Sequence, residues 1–244
     1  MLVYTYKPGL HHIHPIITPE QNIQIYRKCI EHNKQFHKVK LYTTAESVEL
    51  FKDLVSDIEI IDNKLDTFFQ DDLKFYVLSK EEGKYTLIDG DIILDRKLEY
   101  CNNNGVEFEK LIKNNPNDDY FLKMRNQLTY YNIQGTLKYW QNFDHTYNLG
   151  IIRINNNQFV KGFLTEYSKL KDFYKNNIEL KNPKLRQSNV IEMATCTYFL
   201  SMYLTLNNIP IHTLEETNNF THYSGYIEKL KFLKKYIKVK KPLI

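Results

Sequence analysis

The chain has 244 residues, 42% hydrophobic and 25% charged, with a formal net charge of +4. That length supports one domain with a full hydrophobic core. The mild, interspersed charge argues against the concentrated basic stripe of a dedicated nucleic-acid binder. Cys29, Cys101 and Cys196 are widely spaced and form no pairing motif, which points to a reducing compartment. With no signal pattern at Met1–Tyr6, the expected location is the cytoplasm. The longest apolar stretch, Met193 to Leu206, is too short to span a bilayer. Lysines crowd Lys229 to Lys241, as on a solvated helix face and strand end.

In chain order, Leu2-Val3-Tyr4-Thr5-Tyr6 reads as a buried first strand. Thr18-Pro19-Glu20-Gln21 is a helix start, with Thr at the cap, Pro at the first position and Gln closing a capping box. Ile23, Ile25, Tyr26, Cys29 and Ile30 then share one face of a helix running to about His32. Val39 to Thr43 alternates as a strand, Ala45 to Val55 reads as a second helix, and Ile58 to Ile61 as a third strand. A helix over Asp71 to Lys80, packing Leu73, Tyr76 and Val77, leads to the strand Tyr85 to Ile88. Repeated strand–helix units predict an α/β fold, a Rossmann-type, mostly parallel sheet flanked by helices.

Beyond residue 95 the rhythm changes. Asn102 to Gly105 reads as a turn, Asn114 to Asp119 as a polar connection and Asp118 to Trp140 as a helix. Tyr147 to Ile154 looks like one strand, Phe159 to Tyr174 and Asn189 to Leu206 like helices, and Ile209 to Leu214 like a late short strand. The expected organisation is a single domain over 1–244, with a nucleotide-binding half to residue 95 and an acceptor half after it.

The feature that carries most chemistry is Asp89-Gly90-Asp91, between Tyr85-Thr86-Leu87-Ile88 and Ile92-Ile93-Leu94. Two carboxylates at the carboxyl end of a buried strand can share a hard divalent cation and leave positions open for phosphate oxygens. Asp-Gly between apolar runs is also a strong hairpin signal, so the motif alone leaves both readings open. A second motif, Thr221-His222-Tyr223-Ser224-Gly225, offers an imidazole that would suit Mn²⁺ beside two carboxylates.

With these motifs in this order the chain resembles glycosyltransferases of the GT-A fold, especially the glycogenin-like and galactosyltransferase enzymes of family eight. The resemblance implies transfer of a sugar from a nucleotide-sugar donor, with UDP favoured, to an acceptor hydroxyl on a glycan, protein or other compound. It implies Mn²⁺ or Mg²⁺ held by Asp89, Asp91 and His222, with Asp89 also on the donor side. Tyr147-Asn148-Leu149-Gly150 matches the family's Asn-x-Gly segment, which places Asn148 and Gly150 near the donor sugar. His222-Tyr223-Ser224-Gly225 matches His-x-x-Gly and adds Gly225; the family's lysine would fall at Glu228, whereas Lys229 is one position later. The family's acidic helix residue matches Glu192, as general base if the enzyme inverts or as transition-state stabiliser if it retains. Met193 stands where a Gln commonly follows.

Weaker candidates surround this set. Tyr4, Thr5 and Tyr6 end the first strand and Asp62 follows the third, all placed to touch a nucleotide. His11, His12 and His14 crowd the loop after the first strand, and Tyr130, Tyr131, Tyr139 and Trp140 could stack on an acceptor sugar. Two rival readings remain. In a haloacid-dehalogenase-like phosphatase Asp89 would be the nucleophile and Asp91 the general acid; in a non-enzymatic binding module the motif would be only a turn.

Overall fold

The computed structural model describes residues 1–8, 17–62, 64–65, 71–99, 104–113, 145–176, 190–214 and 219–237. Strand β1 (Leu2–Tyr6) is buried throughout, so its alternation sorts side chains between two cores rather than between core and water. Leu2, Tyr4 and Tyr6 join Tyr26, Ile30, Leu41 and Ile88 in one apolar cluster. Val3 joins the other, with Tyr42, Tyr85, Leu87, Phe75 and Phe163.

Parallel partners β2 (Val39–Thr44) and β4 (Tyr85–Ile88) flank β1, and β3 (Asp57–Ile61) extends the sheet beyond β2. On the far side β9 (Ile151–Ile154) runs antiparallel to both β4 and β6 (Val106–Phe108), and β10 (Ile211–Thr213) lies parallel to β6. The seven-stranded order is β10-β6-β9-β4-β1-β2-β3, parallel except where β9 meets its neighbours. The mostly parallel α/β sheet expected from the strand–helix rhythm is therefore the one found. Its polarity brings the ends of β4 and β6 and the start of β9 to one edge.

Helix α1 (Pro19–Asn33) covers the face holding Tyr4 and opens with both bonds of the expected capping box. The opposite face lies under α2 (Asp72–Leu78), α3 (Val160–Asn176) and α4 (Val190–Leu206). The Phe75 ring stands near-perpendicular to the stacked rings of Phe163 and Tyr167 and locks α2 to α3. The Tyr167 hydroxyl donates to Asp72 at 2.5 Å. No helix among the described residues is long and apolar enough to cross a membrane.

Two segments differ from expectation. The helix expected over Ala45 to Val55 is a 3₁₀ turn, Ala45–Leu50, followed by hydrogen-bonded turns. The Phe51 N–H bonds the Val48 carbonyl, and the Thr44 and Ser47 hydroxyls meet at 3.3 Å, holding the chain in tight three-residue steps. The single strand expected over Tyr147 to Ile154 is two, β8 (His145–Tyr147) and β9, because Asn148 Oδ1 accepts from the Gly150 N–H at 2.7 Å. That side-chain turn replaces a strand step. β8 pairs with β7 (Leu111–Lys113) in a separate ribbon. The helix expected over Asp118 to Trp140, with its Tyr130, Tyr131, Tyr139 and Trp140, lies outside the described residues, as do His11, His12 and His14.

At the opposite sheet edge the Leu98 N–H donates to His37 Nε2 at 2.9 Å, so the ring must be neutral to accept. Burial, helped by the N-terminal charge, Lys97 and Arg153, lowers the His37 pKa from 6.5 to about 4. Between those values the unfolded chain binds a proton that the folded chain refuses. The His37 contribution to stability is thus complete above pH 6.5 and is lost as pH falls towards 4. Urea midpoints at pH 7.5 and 4.5 should fall more for the parent than for His37→Gln, and the His37 ring should titrate near pH 4 by NMR.

Candidate metal centre

β4 ends at Ile88, and the Asp89 N–H donates to the Gly150 carbonyl at 2.8 Å, tying the motif to the start of β9. The chain then turns through Gly90 and Asp91 into β5 (Ile92–Leu94). This is no hairpin: β4 lies between β1 and β9, whereas β5 pairs with β11 (Phe220–His222). The turn is forced from below by Tyr26 of α1. A Cβ on Gly90 would lie 2.1 Å from the Tyr26 ring, which is 4% exposed and set edge-on against Tyr6. Tyr26 also hydrogen-bonds the Gly90 backbone, and burial, then the charges of Asp89 and Asp91, raise its pKa well above the ordinary value.

Asn33, fully buried at the end of α1, holds β5 in place. Its amide donates to the Ile92 carbonyl and the Tyr4 hydroxyl, and its Oδ1 accepts from the Leu94 N–H at 2.8 Å. β11 is then in register with His222 opposite Ile92, and the Tyr223 N–H donates to the Asp91 carbonyl at 2.9 Å. Ribbon pairing thereby brings the two sequence motifs together. One ligand atom each from Asp89, Asp91 and His222 lie within 4.8 Å of one another.

The surrounding charges are arranged around this triad. His222 Nε2 is 3.3 Å from Asp91 Oδ1, and its Nδ1 is 2.7 Å from Glu109 Oε2, just past the end of β6. Lys229, on α5 (Gly225–Phe232), puts Nζ 3.1 Å from Asp91 Oδ2. Lys74, on α2, is 2.8 Å from Asp89 Oδ1, 3.2 Å from Asp71 and 2.9 Å from the Leu149 carbonyl. Burial opposes the Asp91 charge, but the bonds from His222 and Lys229 outweigh it and hold the carboxyl well below the usual range. Burial likewise opposes His222 protonation, yet Asp91 and Glu109 raise its pKa to about 10. Lys74 is raised above its usual value because Asp71 and Asp89 outweigh its burial.

The donor set fits a divalent transition ion: two hard carboxylates and an imidazole whose other nitrogen meets a carboxylate. An incoming ion would take over the countercharge that the His222 proton and Lys229 now supply to Asp91.

The other expected residues are spread along this edge. The Asn148 N–H donates to the Lys110 carbonyl at 2.9 Å, and Gly150 packs under the site. Gly225 opens α5 at φ +75°, a conformation that favours glycine. Lys229 reaches Asp91, whereas Glu228 pairs with Lys231 at 2.6 Å on the helix exterior. The one-residue offset of the lysine is absorbed by its helical position. Tyr4 is fully buried, Thr5 and Tyr6 nearly so. Asp62 is exposed beyond β3, three strands from β4, with Oδ1 accepting from the Lys64 N–H. Glu192 belongs to the first turn of α4; its side chain lies outside the described ones. Glu109, Lys74, Asp71 and Asn33 belong to no motif, and no signal in the sequence singles them out.

No family model and no curated protein matches the chain. Among solved structures it is similar to mouse xyloside xylosyltransferase 1, with a TM-score of 0.46 and 11% identity over 87% of this chain and 84% of that one. It is also similar to the galactosyltransferase LgtC bound to donor and acceptor sugar analogs, with a TM-score of 0.43 and 11% identity over 92% and 87%. The glycosyltransferase GlyE of Streptococcus pneumoniae gives 0.44 and 17% identity over 89% of this chain but 45% of GlyE. The site's own side chains, not these distant likenesses, carry the function proposed below.

Gly90→Ala should cost about 1–3 kcal/mol, the usual range for overpacking a core, because the Tyr26 ring has nowhere to move. In a Tyr26→Ala background the same change should cost almost nothing. Equal costs in both backgrounds, measured by urea denaturation, would show that the ring does not set the turn.

Proposed function

We propose that the chain is a metal-dependent glycosyltransferase, moving a sugar from a UDP-sugar to an acceptor hydroxyl. The observation that carries this reading is the convergence of Asp89, Asp91 and His222 at the carboxyl edge of a mostly parallel sheet. Ligands of open α/β sheets bind at that edge.

In this reading Asp89, Asp91 and His222 hold Mn²⁺ or Mg²⁺, and the imidazole favours Mn²⁺, since Mg²⁺ prefers oxygen ligands. The ion, when bound, neutralises charge on the departing diphosphate as a Lewis acid. Lys229, which pairs with Asp91 at 3.1 Å, is a cation at the same edge and would be available to a phosphate oxygen. Asn148 and Gly150 shape the donor-sugar side, Gly225 sets the start of α5, and Thr5, Tyr6 and Asp62 belong to the nucleotide side, which Tyr4, fully buried with its hydroxyl on the Asn33 amide, supports from the core. Residues 1–95 then form the donor half and 96–244 the acceptor half of one domain.

UDP at ~100 times its dissociation constant should stabilise the parent by about 2.7 kcal/mol, and only with Mn²⁺ or Mg²⁺ present. Asp91→Ala should remove this metal dependence while the chain stays folded. Equal UDP affinity with and without EDTA would contradict the reading.

Glu192 is the proposed acid–base or stabilising group at the reacting sugar. Glu192→Gln keeps the shape but loses charge and basicity, so donor affinity should hold while turnover falls by ~10²–10⁴. Unchanged turnover would remove it from the catalytic set and leave the metal assignment intact.

A further inference from the structure

We propose that Glu109 is the positioning carboxylate of the metal centre: it fixes the His222 ring with its proton on Nδ1 and Nε2 facing Asp91, and thereby sets the site's affinity for imidazole-preferring ions. The proposal rests on the metal reading above.

Four observations support it. Glu109 is 2% exposed, and its Oε2 meets His222 Nδ1 at 2.7 Å, a full charge-assisted hydrogen bond. The other ring nitrogen is 3.3 Å from Asp91 Oδ1, so Nε2 is the nitrogen directed into the triad. The Glu109 backbone is held on both sides. Its N–H donates to the Ile151 carbonyl at 3.0 Å, and the preceding Phe108 carbonyl accepts from the Leu214 N–H at 2.8 Å. Finally, a Cβ on Gly150 would lie 2.2 Å from Glu109 Oε2 and 2.8 Å from His222 Cε1. The carboxylate and imidazole together fill the space that any side chain at position 150 would need.

A carboxylate behind a ligating histidine fixes the tautomer, aims the lone pair and raises the basicity of the ligating nitrogen; its loss commonly weakens metal binding 10–100-fold. Glu109 is buried, so its carboxylate is also costly to hold without a cationic or N–H partner. A purely structural carboxylate would stabilise the fold without discriminating among ions.

The test is Mn²⁺ and Mg²⁺ titration of the full-length parent and Glu109→Gln. Mn²⁺ is followed by the EPR signal of the free ion, and Mg²⁺ by competition. The expected result is ~10–100-fold weaker Mn²⁺ binding by the variant, with a smaller loss for Mg²⁺, because only the nitrogen ligand is disturbed. Equal Mn²⁺ affinity, or equal losses for both ions, would overturn the proposal. A second measurement needs no variant: nitrogen-15 spectra of the Zn²⁺-loaded parent should place the His222 proton on Nδ1, and a proton on Nε2 would overturn it. If the parent binds none of these ions, the metal reading itself fails and this inference falls with it; if it binds them and Glu109→Gln binds as well, only the inference fails.

Discussion

A carboxylate that is nearly buried must be compensated, and Asp91 is the group around which the site is organised. Its side chain is 13% exposed, yet it is held ionised by His222 and Lys229, drawn from β11 and α5. Removing one partner from such a buried arrangement typically costs ~3–5 kcal/mol, because a charge is left behind without its counterpart. The folded chain therefore needs β5, β11 and α5 in register whether or not an ion is present. The same balance makes the site receptive to a dication, which can take the place of one proton and one ammonium group.

The sheet positions the residues around Asp91. β9 is the strand that breaks the parallel pattern, and its reversal brings Gly150 beside Asp89 and the end of β6 beside both. Glu109 thus arrives under His222 from a part of the chain 113 residues away. On the opposite side, α1 contributes the Tyr26 ring below Gly90 and the Asn33 amide against β5. The aspartates are held by the core on one side and by the ribbon on the other, with little freedom left for the turn between them.

The sequence made some of this legible and left some of it hidden, for physical reasons. Helix α1 announces itself through Thr18, Pro19 and Gln21, since capping is local chemistry. The parallel sheet follows from the order of strands and helices. The Asp89–Asp91 pair was visible because both residues sit at one strand end, and His222 was visible by its motif. Glu109, Lys74 and Asn33 were not, because their roles depend on which strands become neighbours, and β5, β6 and β11 are three-residue strands whose pairing is set by tertiary contacts. The break at Asn148 was hidden for the opposite reason. A single side-chain bond to the Gly150 N–H interrupts an otherwise strand-like apolar run.

Asp89, Asp91 and His222 are proposed to form one metal centre. A crystal structure of the Mn²⁺-soaked protein, with diffraction collected across the manganese absorption edge, tests it most directly. One anomalous peak bounded by these three side chains is expected, with His222 coordinating through Nε2 and Lys229 displaced from Asp91. A peak elsewhere, or none while Lys229 and His222 keep their present bonds to Asp91, would contradict it.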